Sequence, residues 1–344
     1  MIDWVKCKLA INHTPVACGM FVVINPEGDI ERTSPMSTMI EGSYDTSISV
    51  RSSGSDGKGN AEYLELCGNP AKFLQGHNIF GTNDLLGLVN GAAGIIFHRL
   101  GISPSGFEWS LIQKGEYYVN WIDINESFEL RNQSDVQAWI KAAEFSSRTR
   151  CGRPTNTSGT LYHQKHSRRF AIKFYSKFKE LEGGKKHALP YQLEKTGLKK
   201  WTENILRAEV RLLGKELRTL GIEKAYQLTP QKVEALFGEY MNKIILTESF
   251  RLKDEVAFSL PAKLQSTYTL WKDGNDVKAI LTKSAFYRHR KELLEYGIDI
   301  SIACRTKESN VVPLIRVLEA KPAQIPTWAY EQGLIYQSGL RRVS

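Results

Sequence analysis

The stretch "RRFAIKFYSKFKELE" (168–182) sets one tyrosine in a row of lysines. Successive side chains of a strand point to opposite faces. By that alternation Phe170, Ile172, Phe174 and Phe178 share one face, and Lys173, Tyr175, Lys177 and Lys179 share the other. A free tyrosine titrates near about 10 and attacks poorly at neutral pH. Nearby cations favour its phenolate and also attract a phosphodiester. The same alternation describes a half-buried strand with a lysine-rich solvent face, and by pattern alone that is the simpler reading.

Acidic residues inside apolar strands are the next chemical signal. Glu65 lies in "YLELC", Asp123 in "VNWIDIN" and Glu209 in "RAEVR". Oxygen ligands on rigid strands suit Mg²⁺ or Mn²⁺, which can polarise a phosphate. Glu209 has a simpler use as an ion-pair partner of Arg207 or Arg211. His77, in "FLQGHNIFG", follows Gln75 by two residues, and the pair could supply two ligands or merely shape a loop. "HQKH" (163–166) falls in a hairpin turn, where solvent or phosphate contact is the plainer role.

Basic clusters flank the tyrosine strand. "RTRCGR" (148–153) and "HQKHSRR" (163–169), with Arg168 and Arg169, suit phosphate contacts, as does Lys173. Farther on, "SAFYRHRKELL" (284–294) places Tyr287, Arg288, His289, Arg290 and Lys291 early in a helix. The first residues of a recognition helix reach base edges, although a solvated basic helix face has the same composition. No G-x-x-x-x-G-K-[ST], H-E-x-x-H or G-x-S-x-G occurs, which argues against an ATPase, a zincin and a serine hydrolase of the usual kinds.

The elements that must hold these residues read as strands alternating with helices. Residues 61–68, 118–130 and 205–212 are strand candidates, and 159–181 is a hairpin whose second arm carries Tyr175. "NDLLGLVNGAAGIIFHRLG" is a helix capped by Asn83 or Asp84 and closed by Gly101. "SDVQAWIKAAEF" is a helix with a Ser134/Gln137 capping box. Thr229 and Pro230 open another. The order predicts an α/β or α+β sheet with helices over one face. Past residue 225 helices take over, the last capped by Ser284, in a helix-turn-helix-like pair. Residues 309–320 read as a final strand. A boundary near residue 240 divides 1–240 from 241–344.

The bulk numbers agree with two soluble domains. The chain has 344 residues and a net charge of +9, a balance that favours an anionic partner such as nucleic acid. The five cysteines are scattered without a C-x-x-C pair, which fits thiols in a reducing cytoplasm. No basic leader with a long apolar run opens the chain, and no apolar run reaches the roughly 18 residues of a membrane span.

Several stretches together resemble the gene II replication initiators of filamentous bacteriophages. They are "NPAKFLQGHNIFGTNDL" (69–85), "IDINESF" (122–128), "SRRFAIKFYSKFKELE" (167–182), "ILRAEVRLLGKELRTLGI" (205–222) and "NVVPLIRVLEAKP" (310–322). Their sequence of an Asp strand, a "Y-x-K" strand and an "E-x-R" strand is also similar to plasmid rolling-circle initiators. The resemblance implies an α+β fold, with a central, mostly antiparallel sheet and helices on one face, as in rolling-circle nucleases. It implies a nicking-joining domain over 1–240 and a helix-turn-helix-like DNA-binding domain over 241–344. Tyr175 would attack the origin phosphate and form a 5′-phosphotyrosine, with Lys177 beside it. Glu65, Asp123 and His77 would hold Mg²⁺ or Mn²⁺, with Glu209 and Arg211 supporting the site. Lys173, Arg168, Arg169, Tyr287, Arg288 and Arg290 would bind DNA. The implied partners are the phage replicative-form DNA at its plus-strand origin and the host helicase, polymerase and single-strand-binding protein, in the host cytoplasm with no membrane. Tyr162 is a possible second nucleophile, and Met241 a possible internal start. Two rivals are a non-enzymatic DNA-binding replication or repressor protein and a tyrosine recombinase; the mid-chain position of Tyr175 argues against the latter.

Overall fold

The computed structural model describes residues 1–44, 46–184, 187–246, 260–272, 274–296, 298–301 and 322–338. The chain divides into two compact units, Met1–Leu246 with Ile315–Ser344, and Thr247–Leu314. The frame of the first unit is a nine-stranded sheet. Its strands are β1 (Ile2–His13), β4 (Thr38–Glu41), β5 (Ser47–Ser53), β6 (Ala61–Gly68), β7 (Tyr118–Glu129), β9 (Thr155–Thr157), β10 (Thr160–His163), β11 (Phe170–Ser176) and β12 (Ile205–Leu213). They lie in the order β4-β5-β6-β1-β7-β12-β11-β10-β9. Every neighbouring pair is antiparallel. Two small two-stranded pieces pair β2 (Met20–Ile24) with β3 (Ile30–Pro35), and β8 (Ser147–Arg148) with β13 (Ile245–Leu246).

Alternation decides which side of the sheet is dry. Val5, Cys7, Leu9, Leu64, Leu66, Ile122, Ile124, Val210, Leu212, Ile172 and Phe174 are all buried. Against this apolar side pack the helices. Leu85–Leu100 is capped by the Asp84 carboxylate on Gly87 N and ended by Gly101 at φ 65. Its Leu85, Leu88, Val89, Ala92, Ile96 and Phe97 recur at three- and four-residue spacing and are buried, as an amphipathic helix requires. Helix Gln133–Ser146 sends Trp139, fully buried, to 4.9 Å from the Phe174 ring. Truncating such an aromatic to alanine costs about 3–5 kcal/mol. The cap of this helix is Asn132 rather than Ser134; the side chain that accepts from the first turn's amides sits one residue before the helix begins.

Two further expectations change, and a third falls outside the described residues. The tyrosine strand stops at Ser176, whose hydroxyl caps a short helix, Lys177–Glu182, by accepting from Lys179 N. The final strand expected over 309–320 falls outside the described residues. Residues 322–338, placed by sequence with the second domain, belong with the first unit. There Tyr336 N donates to Gln75 Oε1 at 2.7 Å, and Ala323 N donates to Ser127 O at 2.7 Å.

The second unit has its own core of Leu260, Leu264, Tyr268, Val277, Phe286, Leu293, Ile298 and Ile300. It is built on helices Ala262–Lys272, Val277–Ile280 and Lys283–Leu294. Thr282, not Ser284, caps the last by accepting from Ala285 N.

Candidate active site

The side of the sheet away from the main helices is polar across its central strands. On β12 Arg207, Glu209 and Arg211 share this face. Register sets Lys173 of β11 opposite Glu209 and Tyr175 opposite Arg207. On the other flank Asp123 of β7 stands opposite Arg211, and Asn125 opposite Glu209. β1 completes the row through a bulge between Ile2 and Val5, where Ile2 pairs with Ile124 and Val5 with Ile122. The extra residue puts both Asp3 and Trp4 opposite Asp123, a typical way for a bulge to re-aim a side chain.

Tyr175 is 5% exposed, and its hydroxyl donates to Glu209 Oε2 at 3.4 Å. Burial pushes the phenol well above its usual value, and Glu180 and Glu209 add to that. Glu209 Oε1 lies 2.6 Å from Lys173 Nζ. Burial nevertheless pushes this carboxyl up to about 8, helped by Asp123. Burial works against the charge on Lys173, but Glu209 outweighs it and holds the ammonium above the ordinary lysine value. Arg211 grips Asp123 with two bonds of 3.1 Å, and Trp121 Nε1 donates to the same carboxylate at 2.5 Å.

One end of this face is covered by the segment after helix Pro70–Gln75. Gly76 ends that helix at φ 86, a conformation that glycine adopts without strain, and the chain turns back over the sheet. Gln75 holds the turn by donating to His77 O at 3.1 Å and Phe80 O at 2.8 Å. Arg207, wholly buried, reaches up from β12 to Asn78 O (3.2 Å), Ile79 O (2.8 Å) and Asn125 Oδ1 (2.9 Å). Asn78 in turn donates to Asp3 at 2.9 Å and accepts from Lys177 Nζ at 2.8 Å. Above these lies an apolar cluster of Ile79, Phe80, Leu181, Leu193, Leu198, Ala329 and Leu334.

Two sequence expectations fail here. Lys177 does not share the face of Tyr175 as a strand residue. It opens a helix, is fully buried, and spends its ammonium on Asn78 and Glu180. Nor do Glu65, Asp123 and His77 converge. Glu65 is on the same face but held by Arg51 through bonds of 2.9 and 2.7 Å. Asp123 is occupied by Arg211 and Trp121. His77 is buried with both ring nitrogens used: Nε2 donates to Leu334 O at 2.8 Å, and Nδ1 accepts from Ile79 N at 3.2 Å. Burial lowers its pKa to about 4, so it stays neutral. These three residues therefore do not fit a metal ion, and among the described residues no three His, Cys, Asp or Glu are grouped to hold one.

Asp3, Asn78, Asn125, Glu180 and Arg207 are site residues that sequence reading missed. Arg207 and Asn125 were within reach, because each lies two residues from a residue on the polar face. Asp3, Asn78 and Glu180 reach the site only through the bulge, the turn and the short helix. Of the expected DNA contacts, Arg168 is exposed and Arg169 is tied to Glu216 at 2.6 Å. In the second unit Tyr287 and Arg288 are exposed, while Arg290 is clamped by Asp299 at 2.7 and 2.8 Å. No helix among the described residues is long and apolar enough to cross a membrane.

Comparison with known proteins places the chain in a family. Residues 1–231 match the model of the N-terminal family of the phage gene II replication-associated protein, and 252–335 match that of its C-terminal family. The chain is 43% identical over 329 residues to the replication-associated gene II protein of Enterobacteria phage I2-2, covering 95% of this chain and 96% of that one. The chain thus belongs to the gene II family of phage replication-associated proteins.

Proposed function

We propose that this phage replication protein is a site-specific nicking and joining initiator of rolling-circle replication. The observation that carries the reading is Tyr175, whose hydroxyl donates to Glu209 inside a row of paired charges spanning three strands. Tyr175 Oη attacks the phosphorus of the origin plus strand. The P–O3′ bond breaks and the Oη–P bond forms. The phenolic proton passes to Glu209, and the leaving 3′ oxygen takes a proton from solvent water to become a free 3′-hydroxyl for priming. In rejoining, a 3′-hydroxyl attacks the phosphotyrosine and the proton returns. The phosphodiester energy is conserved in the protein–DNA link, so no ATP is needed, in keeping with the missing phosphate loop. Covalent catalysis of this kind splits one transfer into two.

Lys173 holds its ammonium 5.3 Å from the centre of the Tyr175 ring; it would counter charge developing on the phosphoryl oxygens. Lys177 holds Asn78 and Glu180 instead. Because Tyr175 is buried, DNA gains it after the Asn78 turn or helix Lys177–Glu182 moves aside. Dependence on Mg²⁺ or Mn²⁺ belongs to the proposal as a property to measure, with no step assigned to Glu65, Asp123 and His77. The proposed target is phage replicative-form DNA at its plus-strand origin in the host cytoplasm, with host helicase, polymerase and single-strand-binding protein acting afterwards. In the second unit Tyr287 and Arg288 would contact the duplex.

The burial of Tyr175 also favours a second reading, a non-enzymatic DNA-binding protein in which it is structural. One experiment separates them. Supercoiled origin DNA is incubated with the protein, with and without Mg²⁺, and any DNA-linked peptide is mapped. The proposal expects the link on Tyr175 and none in Tyr175→Phe, with duplex binding retained. Full nicking by Tyr175→Phe would remove the assignment.

A further inference from the structure

Two elements close in Tyr175, the turn through Asn78 and helix Lys177–Glu182, and a third fastens both from outside. Residues 322–338 lie far along the chain yet belong to the first unit. Their backbone takes hold of the turn at two points. Tyr336 N donates to Gln75 Oε1 at 2.7 Å, and Leu334 O accepts from His77 Nε2 at 2.8 Å. The Gln75 amide nitrogen already donates to His77 O and Phe80 O. One side chain therefore couples this strap to the turn, and lifting the strap strips a partner from both Gln75 and His77. Side chains complete the contact. The Trp328 ring stands 5.8 Å from that of Phe80. Ala329 and Leu334 share a buried cluster with Ile79 and Phe80 of the turn and Leu181 of the short helix.

The seat of the strap is cut into a helix. Gly87 and Gly91 lie about one turn apart in helix Leu85–Leu100. A Cβ on Gly91 would fall 2.3 Å from Tyr336 Oη, and one on Gly87 would fall 2.6 Å from Ser338 Cβ. Glycine inside a helix costs stability relative to alanine; here it makes the room in which the end of the strap lies. Ser338 Oγ adds a bond of 2.8 Å to Asp84 Oδ2. The strap still lies at the surface, with Tyr330 and Ser338 exposed. Its described residues add no strand to the nine-stranded sheet. It can therefore peel away while the sheet stays folded, as weakly held segments of a fold do.

We infer that residues 322–338 are an autoinhibitory latch. Seated, they hold the Asn78 turn and helix Lys177–Glu182 shut over Tyr175. Lifted, they release both elements and let a DNA phosphate reach the Tyr175 hydroxyl. This rests on the reading of Tyr175 as the nucleophile. A merely structural tail predicts the opposite sign, because loosening it would slow the reaction.

The test uses the full chain in two variants outside the Tyr175 site. Gly91→Ala crowds Tyr336 while favouring the helix itself, so it loosens the latch without weakening its seat. Contacts made only in the closed state set the open population. Adduct formation on supercoiled origin DNA is expected to rise by about tenfold as that population grows. The amides of 76–81 and 177–182 should exchange faster, while those of β7 and β12 keep their protection. Gly87→Cys/Ser338→Cys ties the latch down. Its Cβ atoms start closer than the roughly 3.8 Å of a disulfide, a gap that the exposed end at Ser338 can adjust. The oxidised variant should form adduct several-fold more slowly than oxidised wild type, and dithiothreitol should restore the rate. Unchanged exchange of 76–81 and 177–182 in both variants overturns the latch, as does slower adduct formation by Gly91→Ala. Exchange is read without DNA, which keeps the two readings apart. A Tyr175 adduct formed at equal rates by every variant discards the latch alone. Faster exchange in Gly91→Ala with no adduct in wild type supports the latch and discards the nicking step.

Discussion

At the covered end of the polar face, Arg207 is wholly buried and uses its guanidinium on two backbone carbonyls and Asn125. In the open middle, Arg211, four residues on along the same strand, keeps about a third of its side chain in water and lies over Trp121. Lys177 and Lys8 differ in the same way: one is sealed between Asn78 and Glu180, the other rests on Tyr63. Burying an unpaired charge is so costly that covered positions come with built-in partners. At exposed positions the demand is weaker: Arg211 also pairs with Asp123, but it and Lys8 keep contact with water. The covered end therefore fixes the geometry of the face, while the open middle leaves its cations in reach of water.

The largest expected effect concerns Glu209. If it takes the Tyr175 proton, Glu209→Gln lowers the rate of adduct formation by about 10²–10⁴-fold, the usual worth of a positioned acid or base. Burial pushes Glu209 up to about 8, so the wild-type rate climbs with pH until that value is passed, and the variant's profile is flat. A flat wild-type profile across the same window would remove Glu209 as proton acceptor. The stability sign runs the opposite way. The fold favours protonated Glu209, so this contribution is complete below the ordinary glutamate value of about 4.3 and is lost as pH rises through about 8. The Gln variant should lack that alkaline decline in urea melts.

Arg207→Met probes the covered end directly. It leaves Asn78 O, Ile79 O and Asn125 Oδ1 without their donor, at about 1–3 kcal/mol for each buried group left unsatisfied. A total loss of about 3 kcal/mol or more in urea unfolding is expected, with the Asn78 turn exchanging its amides faster. An unchanged midpoint would mean that the turn does not depend on β12.

Acid provides a milder test of the same turn. His77 is held neutral, its pKa lowered to about 4 by burial. Its contribution is present above the ordinary histidine value of about 6.5 and is lost as pH falls through about 4. His163, also lowered to about 4 by burial, adds the same slope from β10. His77→Gln should therefore reduce the acid-side fall in stability without removing it. A variant as acid-sensitive as wild type would place the loss elsewhere.

What could be read in sequence follows the range of the interactions. Period-two alternation located β11 and β12, and with them Lys173, Tyr175, Glu209 and Arg211 on one face. Local caps located helix Leu85–Leu100 through Asp84 and Gly101. Alternation misled where it ended: at Ser176 a single hydroxyl switches the backbone to helix, so Lys177 leaves the face its spacing promised. The metal set Glu65, Asp123 and His77 was assembled from residue type alone. Each has a basic or backbone partner brought from a different strand or turn, and such pairings are set by tertiary register. Asp3 depended on a bulge, and a bulge leaves no mark in residue type.

The smallest expected effect is the sharpest check on the contrast between the two halves. Lys8→Met keeps an unbranched chain of similar length over Tyr63 and removes only the charge. Substitutions at exposed sites usually fall within about 0.5 kcal/mol, so its unfolding midpoint should match wild type while that of Arg207→Met drops. If Lys8→Met instead destabilises the fold as much as Arg207→Met, the open middle is bound into the structure as tightly as the covered end. The division between a covered end that fixes geometry and an open middle in reach of water would then fail, because the cations of both would be committed to the fold.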